Sequence, residues 1–251
     1  GTAAETLWSL PNELYYSVEY NNVYVAVINY AANLEEACAW LVEDAAKSDC
    51  AWKVLALHQP PYYTNPGGSS EAFNRYVPSA AEEAGIDVVF SGHDHSYART
   101  EPMIGGEVAE NGIVYFICGD LGEKSRGDEY AAVNNPDFHF AKISQEYESV
   151  YLSVTSNGYE MTITAYDVSV DSVSILDEYT IQKALCQNGE HSFVYDSETG
   201  YLDCENCAYY QLLDASYPRW ATDTASARKI YFVGGEPYVG DLLLNGVSYY
   251  F

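Results

Sequence analysis

The sequence predicts an α/β domain built on a parallel sheet, followed by a smaller β-rich tail. Three observations predict it. Apolar strand-like runs alternate with amphipathic helical stretches as far as the segment IDVVF (Ile86 to Phe90). From about Gly112 strand-like runs continue with few helical intervals, and the end of the chain is rich in Tyr and Gly. Strand, helix, strand, helix, strand is the order of parallel βαβ units with helices packed on the sheet.

The elements follow in order. Residues 23 to 29 and 52 to 58 read as buried strands. Between them, Asn33-Leu34-Glu35-Glu36 has a capping-box pattern and opens a helix to about Lys47, with Leu34, Ala37, Cys38 and Leu41 on one face. A second helical stretch covers about Glu71 to Ala84, with Pro78 expected in the first turn of its second piece and Gly85 ending it. The runs IVYFIC (Ile113 to Cys118), SVYLSVT, YEMTITAY and SILDEYTI predict an antiparallel region ending near Lys183, with Asn157-Gly158 as a hairpin turn.

Composition narrows the function. Eleven Lys+Arg against 37 Asp+Glu give the 251 residues a formal charge of −26, so polyanions are repelled and nucleic acid is a poor partner. Anionic small substrates stay open, because a bound dication dominates its local field. The longest apolar runs, such as Val23 to Ile28, are far too short to span a bilayer. No secretion signal is visible, and the chain starts at Gly1 rather than Met. Cys38, Cys50 and Cys118 read as small buried thiols, with a Cys38–Cys50 disulfide as the alternative.

Three of the five histidines fall at strand ends. His58 closes Val54-Leu55-Ala56-Leu57, and His93 and His95 follow the IDVVF strand within Gly92-His93-Asp94-His95. Gly92 is expected to provide a turn too tight for a side chain. In extended backbone beyond it, residues two apart point the same way, so His93 and His95 are expected to aim at one spot with Asp94 facing elsewhere. Carboxyl ends of parallel strands share one edge, where ligands bind. Neutral imidazoles converging there suit a metal.

On these motifs, residues from about 13 to 183 resemble the C-terminal half of the calcineurin-like metallophosphoesterases, and within them the purple acid phosphatases. The matching stretches are YYSVEYNNVYVAVIN, VLALHQPPYY, VFSGHDHSYART and VYFICGDLG, in that order. The resemblance implies the C-terminal half of a β-sandwich flanked by helices, carrying a dinuclear site of Fe, Zn or Mn. It implies a phosphoric monoester hydrolase that uses a metal-activated hydroxide. By position, His58 and His93 would bind one ion and His95 the other. Tyr62, Tyr63 and Tyr97 either line the pocket or pack.

The sequence departs from the family twice. The family's remaining ligands (two aspartates, an asparagine and a tyrosine) come from earlier motifs, and no D-x-H, G-D-x-x-Y or G-N-H-[DE] occurs upstream of His58. Asp120 reads as a turn residue. Past His58, where relatives often carry phosphate-contacting histidines, stands Asn65-Pro66-Gly67-Gly68. Three neutral imidazoles shared by two dications leave about four units of positive charge uncompensated by carboxylates. The expectation is therefore an incomplete phosphoesterase with weak metal affinity, slight activity of its own and an unprotected sheet edge.

The domain organisation expected is 1–184 phosphoesterase, 185–211 Cys/His module and 212–251 Tyr/Gly-rich hairpins. Cys186-x4-His191-x12-Cys204-x2-Cys207 has the donor count of a structural zinc site, against the alternative of disulfide-prone loop cysteines. The stretch is similar to Cys/His linker modules of bacterial surface proteins. KIYFVGGEPYVGDLLLNGVSYYF resembles bacterial cell-wall-binding repeats, whose aromatic faces suit glycan or choline. That resemblance implies a secreted or surface-attached bacterial protein. The rival to the enzyme is a non-catalytic surface-binding protein that uses the phosphoesterase fold as a scaffold.

Overall fold

The computed structural model describes residues 13–20, 23–65, 70–121, 131–146, 149–156 and 160–183, and in the tail 193–195, 201–204, 210–212, 219–223, 229–233, 236–244 and 247–250. The chain starts with strands β1 (Tyr15–Tyr20) and β2 (Val23–Ile28), then helix α1 (Leu34–Ala45), β3 (Trp52–Leu57), helix α2 (Ser70–Glu83) and β4 (Val88–Ser91). After these come β5 (Tyr97–Thr100), the small hairpin β6 (Met103–Ile104) and β7 (Glu107–Val108), β8 (Val114–Cys118), a 3-10 turn (Pro136–Phe138) and β9 (Phe140–Ser144). One seven-stranded sheet runs β1-β2-β3-β4-β8-β5-β9. Its centre, β2 through β4 to β8, is parallel, and β1, β5 and β9 pair antiparallel toward the edges.

This is the α/β class expected, with two corrections. The run at Ile113 to Cys118 belongs to the parallel centre, because β8 pairs with β4 before the antiparallel strands begin. Strand β5 was not anticipated: YART is short and half polar, and its partners lie far along the chain.

Local chemistry explains the helices. Asn33 caps α1, its Oδ1 accepting from the backbone N–H of Glu35 and Glu36 at 3.1 and 3.4 Å, an arrangement that stabilises a helix by about 1 kcal/mol. Helix α2 ends in a Schellman motif: Ile86 N–H donates to Ala81 O, Gly85 N–H to Glu82 O, and Gly85 takes the left-handed φ of 68°. Pro78 corrects the sequence reading. It sits well inside one continuous helix rather than starting a second piece, so α2 forgoes one backbone bond there.

The helices cover one face of the sheet. Ala26, Leu55, Val89 and Tyr115 form a cross-strand row on that face, all 3% exposed or less. They share a core with Ala37 and Leu41 of α1 and Phe73, Val77 and Ala81 of α2.

A three-stranded sheet follows, β10 (Val150–Ser156), β11 (Glu160–Val168) and β12 (Val173–Gln182), in sequence order. The Asn157-Gly158 turn lies outside the described residues. By compactness the chain forms two units, residues 1–153 with 163–179, and 154–162 with 180–251. In the tail, β13 (Phe193–Tyr195), β14 (Tyr201–Cys204), β15 (Tyr210–Leu212), β16 (Arg219–Asp223), β17 (Lys229–Val233) and β18 (Glu236–Pro237) form a six-stranded sheet of order β15-β14-β13-β16-β17-β18. β19 (Asp241–Leu244) and β20 (Val247–Tyr250) pair as a separate antiparallel hairpin. Among the described residues no helix is long and apolar enough to cross a membrane.

Candidate metal centre

Parallel pairing of β3 with β4 brings their carboxyl ends together, and Gly92 N–H donates to His58 O at 3.1 Å just beyond them. His58 leaves this edge exposed to solvent, and His93 is half-buried beside it. His58 Nε2 and His93 Nδ1 lie 3.3 Å apart with the rings nearly perpendicular, at 80°. Tyr30 meets His58 edge-on, with ring centroids 6.2 Å apart. An open groove of about 550 Å³ adjoins His58, lined among others by Glu13, Tyr16, Val27, Tyr30 and Ala56.

The loop carrying the histidines differs from the extended geometry expected. His93 and His95 both adopt left-handed backbone, φ 71° and 52°, while Gly92 does not. A Cβ at Gly92 would meet only His58 O, at 4.0 Å, so crowding is not the reason for a glycine there. The strain falls on the histidines instead, and non-glycine residues hold such conformations where their surroundings impose them.

Asp94 is what imposes them. It is buried, 1% exposed, and its Oδ2 accepts from Thr64 N–H at 2.6 Å, Asn65 N–H at 3.0 Å and Thr64 Oγ1 at 3.2 Å. Thr64 Oγ1 also bonds Ser96 Oγ at 2.6 Å, so the loop after β3 is laced to the loop after β4. Burial raises the Asp94 carboxyl above its ordinary pKa, against the opposing pull of the Thr64 and Asn65 hydrogen bonds. Its Oδ1 is buried without a hydrogen-bond partner among the described residues.

Two of the three imidazoles expected at the site therefore meet, nitrogen to nitrogen. His95 is half-buried in the same loop, but among the described residues no group of three or more His, Cys, Asp or Glu converges to hold a metal. The His58–His93 spacing fits one cation. Two nitrogens each about 2.05 Å from a tetrahedral ion lie about 3.3 Å from one another. That matches the observed 3.3 Å. Asp120 follows Gly119 in the loop after β8, where its carbonyl accepts from Val150 N–H, in keeping with a turn role.

The tyrosines pack. Tyr62 is buried against Tyr115 and Phe138, and Tyr63 packs on Phe138. Tyr97, 1% exposed, donates to Asp177 Oδ2 at 2.8 Å. Cys38, Cys50 and Cys118 are free thiols, which removes the Cys38–Cys50 disulfide, and burial pushes Cys38 up to about 11 and Cys118 to about 12. Cys204 is buried at the end of β14, opposite Phe193, whereas Cys186, His191 and Cys207 lie outside the described residues.

Sequence reasoning missed Gln59, which is buried between the two loops. Its Nε2 lies 3.4 Å from His93 Nδ1, and its Oε1 accepts from Ser70 Oγ at 3.1 Å. Its only signal in the sequence was adjacency to His58.

Residues 7–97 match the calcineurin-like phosphoesterase family. The chain is also similar to purple acid phosphatases: Arabidopsis thaliana purple acid phosphatase 22 is 30% identical over 132 residues, and purple acid phosphatase 15 is 31% identical over 122. These alignments cover 47% and 45% of this chain but only 30% and 23% of the relatives, so the chain spans less than a third of their length. The fold also matches the yellow lupin (Lupinus luteus) purple acid phosphatase PPD1, with a TM-score of 0.50 at 14% identity over 67% of this chain and 32% of that one. PhoD matches equally, with a TM-score of 0.50 at 16% identity over 69% of this chain and 44% of that one. The chain thus carries a calcineurin-like phosphoesterase domain with purple acid phosphatase homologues.

Proposed function

We propose that this chain carries the imidazole portion of a metal-dependent phosphoric monoester hydrolase of the purple acid phosphatase kind. The observation that supports it is the 3.3 Å approach of His58 Nε2 to His93 Nδ1 at the carboxyl edge of the sheet. His58 and His93 would hold one ion of a dinuclear Fe, Zn or Mn centre, and His95 the other. Such ions, when bound, neutralise phosphoryl oxygens and lower the pKa of water. The chain's own residues do the holding. His58 and His93 present lone pairs, while Asp94 fixes the loop between Thr64 and Ser96 and takes no part as a ligand.

Because imidazoles bring no negative charge, the affinity of these residues alone is expected to be weak. The test is calorimetric titration with zinc and manganese, alongside p-nitrophenyl phosphate turnover with added Mn, Zn or Fe. His58→Ala and His93→Ala should each remove the binding. Binding undiminished in the double variant would sink the reading, and robust turnover by these residues alone would refute the expectation of incompleteness.

A second reading draws on the tail, whose paired strands include the Tyr-bearing hairpin β19–β20. In it the chain is a secreted or surface-attached bacterial protein whose tail, beyond about residue 212, binds cell-wall glycan or choline. Retention of the chain on choline resin or peptidoglycan, lost on truncating the tail, would support it. The structural-zinc role of Cys186, His191, Cys204 and Cys207 is also a proposal. It is tested by zinc content per chain with His58 and His93 replaced.

A further inference from the structure

The hydrogen-bond partners of His93 carry an inference about how the imidazole pair is made ready. Among the described residues His93 Nδ1 has two polar neighbours, Gln59 Nε2 at 3.4 Å and His58 Nε2 at 3.3 Å. Gln59 is 6% exposed and Ser70 is fully buried, so their bond at 3.1 Å is shielded from water. A side-chain amide nitrogen only donates. With Ser70 Oγ donating to Oε1, the Gln59 amide turns its N–H toward His93, and Nδ1 must accept. The ring proton then sits on His93 Nε2, and the Nδ1 lone pair accepts from the Gln59 amide.

We propose that Gln59, oriented by Ser70, is a positioning residue that fixes His93 in the Nε2–H tautomer, so that Nδ1, the nitrogen beside His58, stays unprotonated. The tautomer of a ligating histidine is set by the hydrogen bonds its ring makes. The 3.4 Å contact is longer than a standard hydrogen bond, so it directs the proton yet yields readily when a cation takes the lone pair. The purpose of the relay rests on the reading of His58 and His93 as a cation clamp. Its existence does not, because the tautomer is read with no metal present.

The experiment is long-range proton–nitrogen correlation NMR of the ¹⁵N-labelled, metal-free chain at a pH above the imidazole titration. The His93 signals are assigned by their loss in His93→Asn. The expected wild-type spectrum shows a protonated Nε2 and an unprotonated Nδ1. Gln59→Glu, of nearly the same shape, replaces the donor by an acceptor and should move the proton to Nδ1. Gln59→Leu should leave a mixture of tautomers, with Ser70→Ala between it and the wild type. His58→Ala should leave the His93 tautomer unchanged. A proton on Nδ1 in the wild type would overturn the proposal, since the amide would then face His93 with its oxygen. So would an unmoved proton in folded Gln59→Glu, or a flip caused by His58→Ala. Loss of zinc binding with the tautomer pattern intact would instead count against the clamp and leave the relay standing.

Discussion

One cross-strand row of valines shows how differently the two ends of the large sheet are placed. Val18, Val25, Val54, Val88 and Val114 pair in register from β1 to β8 on the face away from the helices. Val18 is 47% exposed and Val54 6%, while Val88 is fully buried. The residue type is constant along the row, so hydrophobicity does not set the gradient. Covering does. At the β8–β5 end, Asp177 of β12 accepts from Tyr97 and pairs with Arg99, and Tyr179 lies under the Arg99 guanidinium at 4.4 Å. At the β1 end the same face offers Val18 and Tyr20 to solvent, and the groove beside His58 opens there.

The sharpest way to break this comparison is to empty the covered end. Phe116 is fully buried beside Phe90, with ring centroids 5.5 Å apart. Phe116→Ala should cost about 3–5 kcal/mol, the range for large-to-small changes in a packed core. The midpoint of urea unfolding measures it. A cost below about 1 kcal/mol would mean that the covered end is far looser than its exposure implies.

The Asp177 latch should show the next largest effect. Burial raises the Asp177 carboxyl, but the Arg99 and Tyr97 hydrogen bonds outweigh it and hold the group below the usual carboxylate range. A depressed folded pKa gives stability that is present above the unfolded value of about 3.9 and lost as pH falls through the folded value. Asp177→Asn should cost about 2–3 kcal/mol near neutral pH, as for hydrogen bonds to charged groups. The cost should shrink as acid protonates the wild type. A penalty that stays constant from neutral pH down to acid unfolding would show that the charge is not what holds the latch.

Much of the covered architecture was legible because its signals are local. Asn33 and Gly85 mark helix ends within a few residues, and the apolar runs of β2, β3 and β4 need no partner to be recognised. The site was half legible. Parallel strand order alone brings His58 to His93, but the left-handed turns of His93 and His95 depend on Asp94 reaching Thr64 and Asn65 some thirty residues earlier. Tyr97 was open to a pocket role in sequence because Asp177, its partner, stands 80 residues away. Gln59 was missed for the same reason, since His93, its partner, stands 34 residues away.

Asp94 sits between the two extremes, and its substitutions separate hydrogen bonding from charge. Asp94→Ala leaves two backbone donors and the Thr64 hydroxyl around an empty site and should cost about 2–3 kcal/mol. Asp94→Asn retains an oxygen that can accept from Thr64 and Asn65, and should cost within about 1 kcal/mol. Thermal unfolding of both variants measures the difference. Equal losses would mean that the negative charge, and not the lacing of the two loops, holds the histidine turn.

The open end should yield the smallest effect. In β1, Val18 is 47% exposed and Tyr20 75%, and among the described residues β1 is paired on one side only, by β2. Removing a side chain already half in water forfeits little burial, so Val18→Ala should change stability by no more than about 0.5 kcal/mol, as for surface sites. An edge strand leaves a row of backbone groups unpaired, and an inserted lysine blocks its pairing with another chain. Val18→Lys should therefore leave the unfolding midpoint nearly unchanged while lowering any self-association seen by sedimentation at high concentration. Amide exchange should also be faster in β1 than in β8, whose neighbours flank it on both sides. A large loss of stability from Val18→Ala, or exchange in β1 as slow as in β8, would show that this face is covered in solution, and the two ends of the sheet would then be alike.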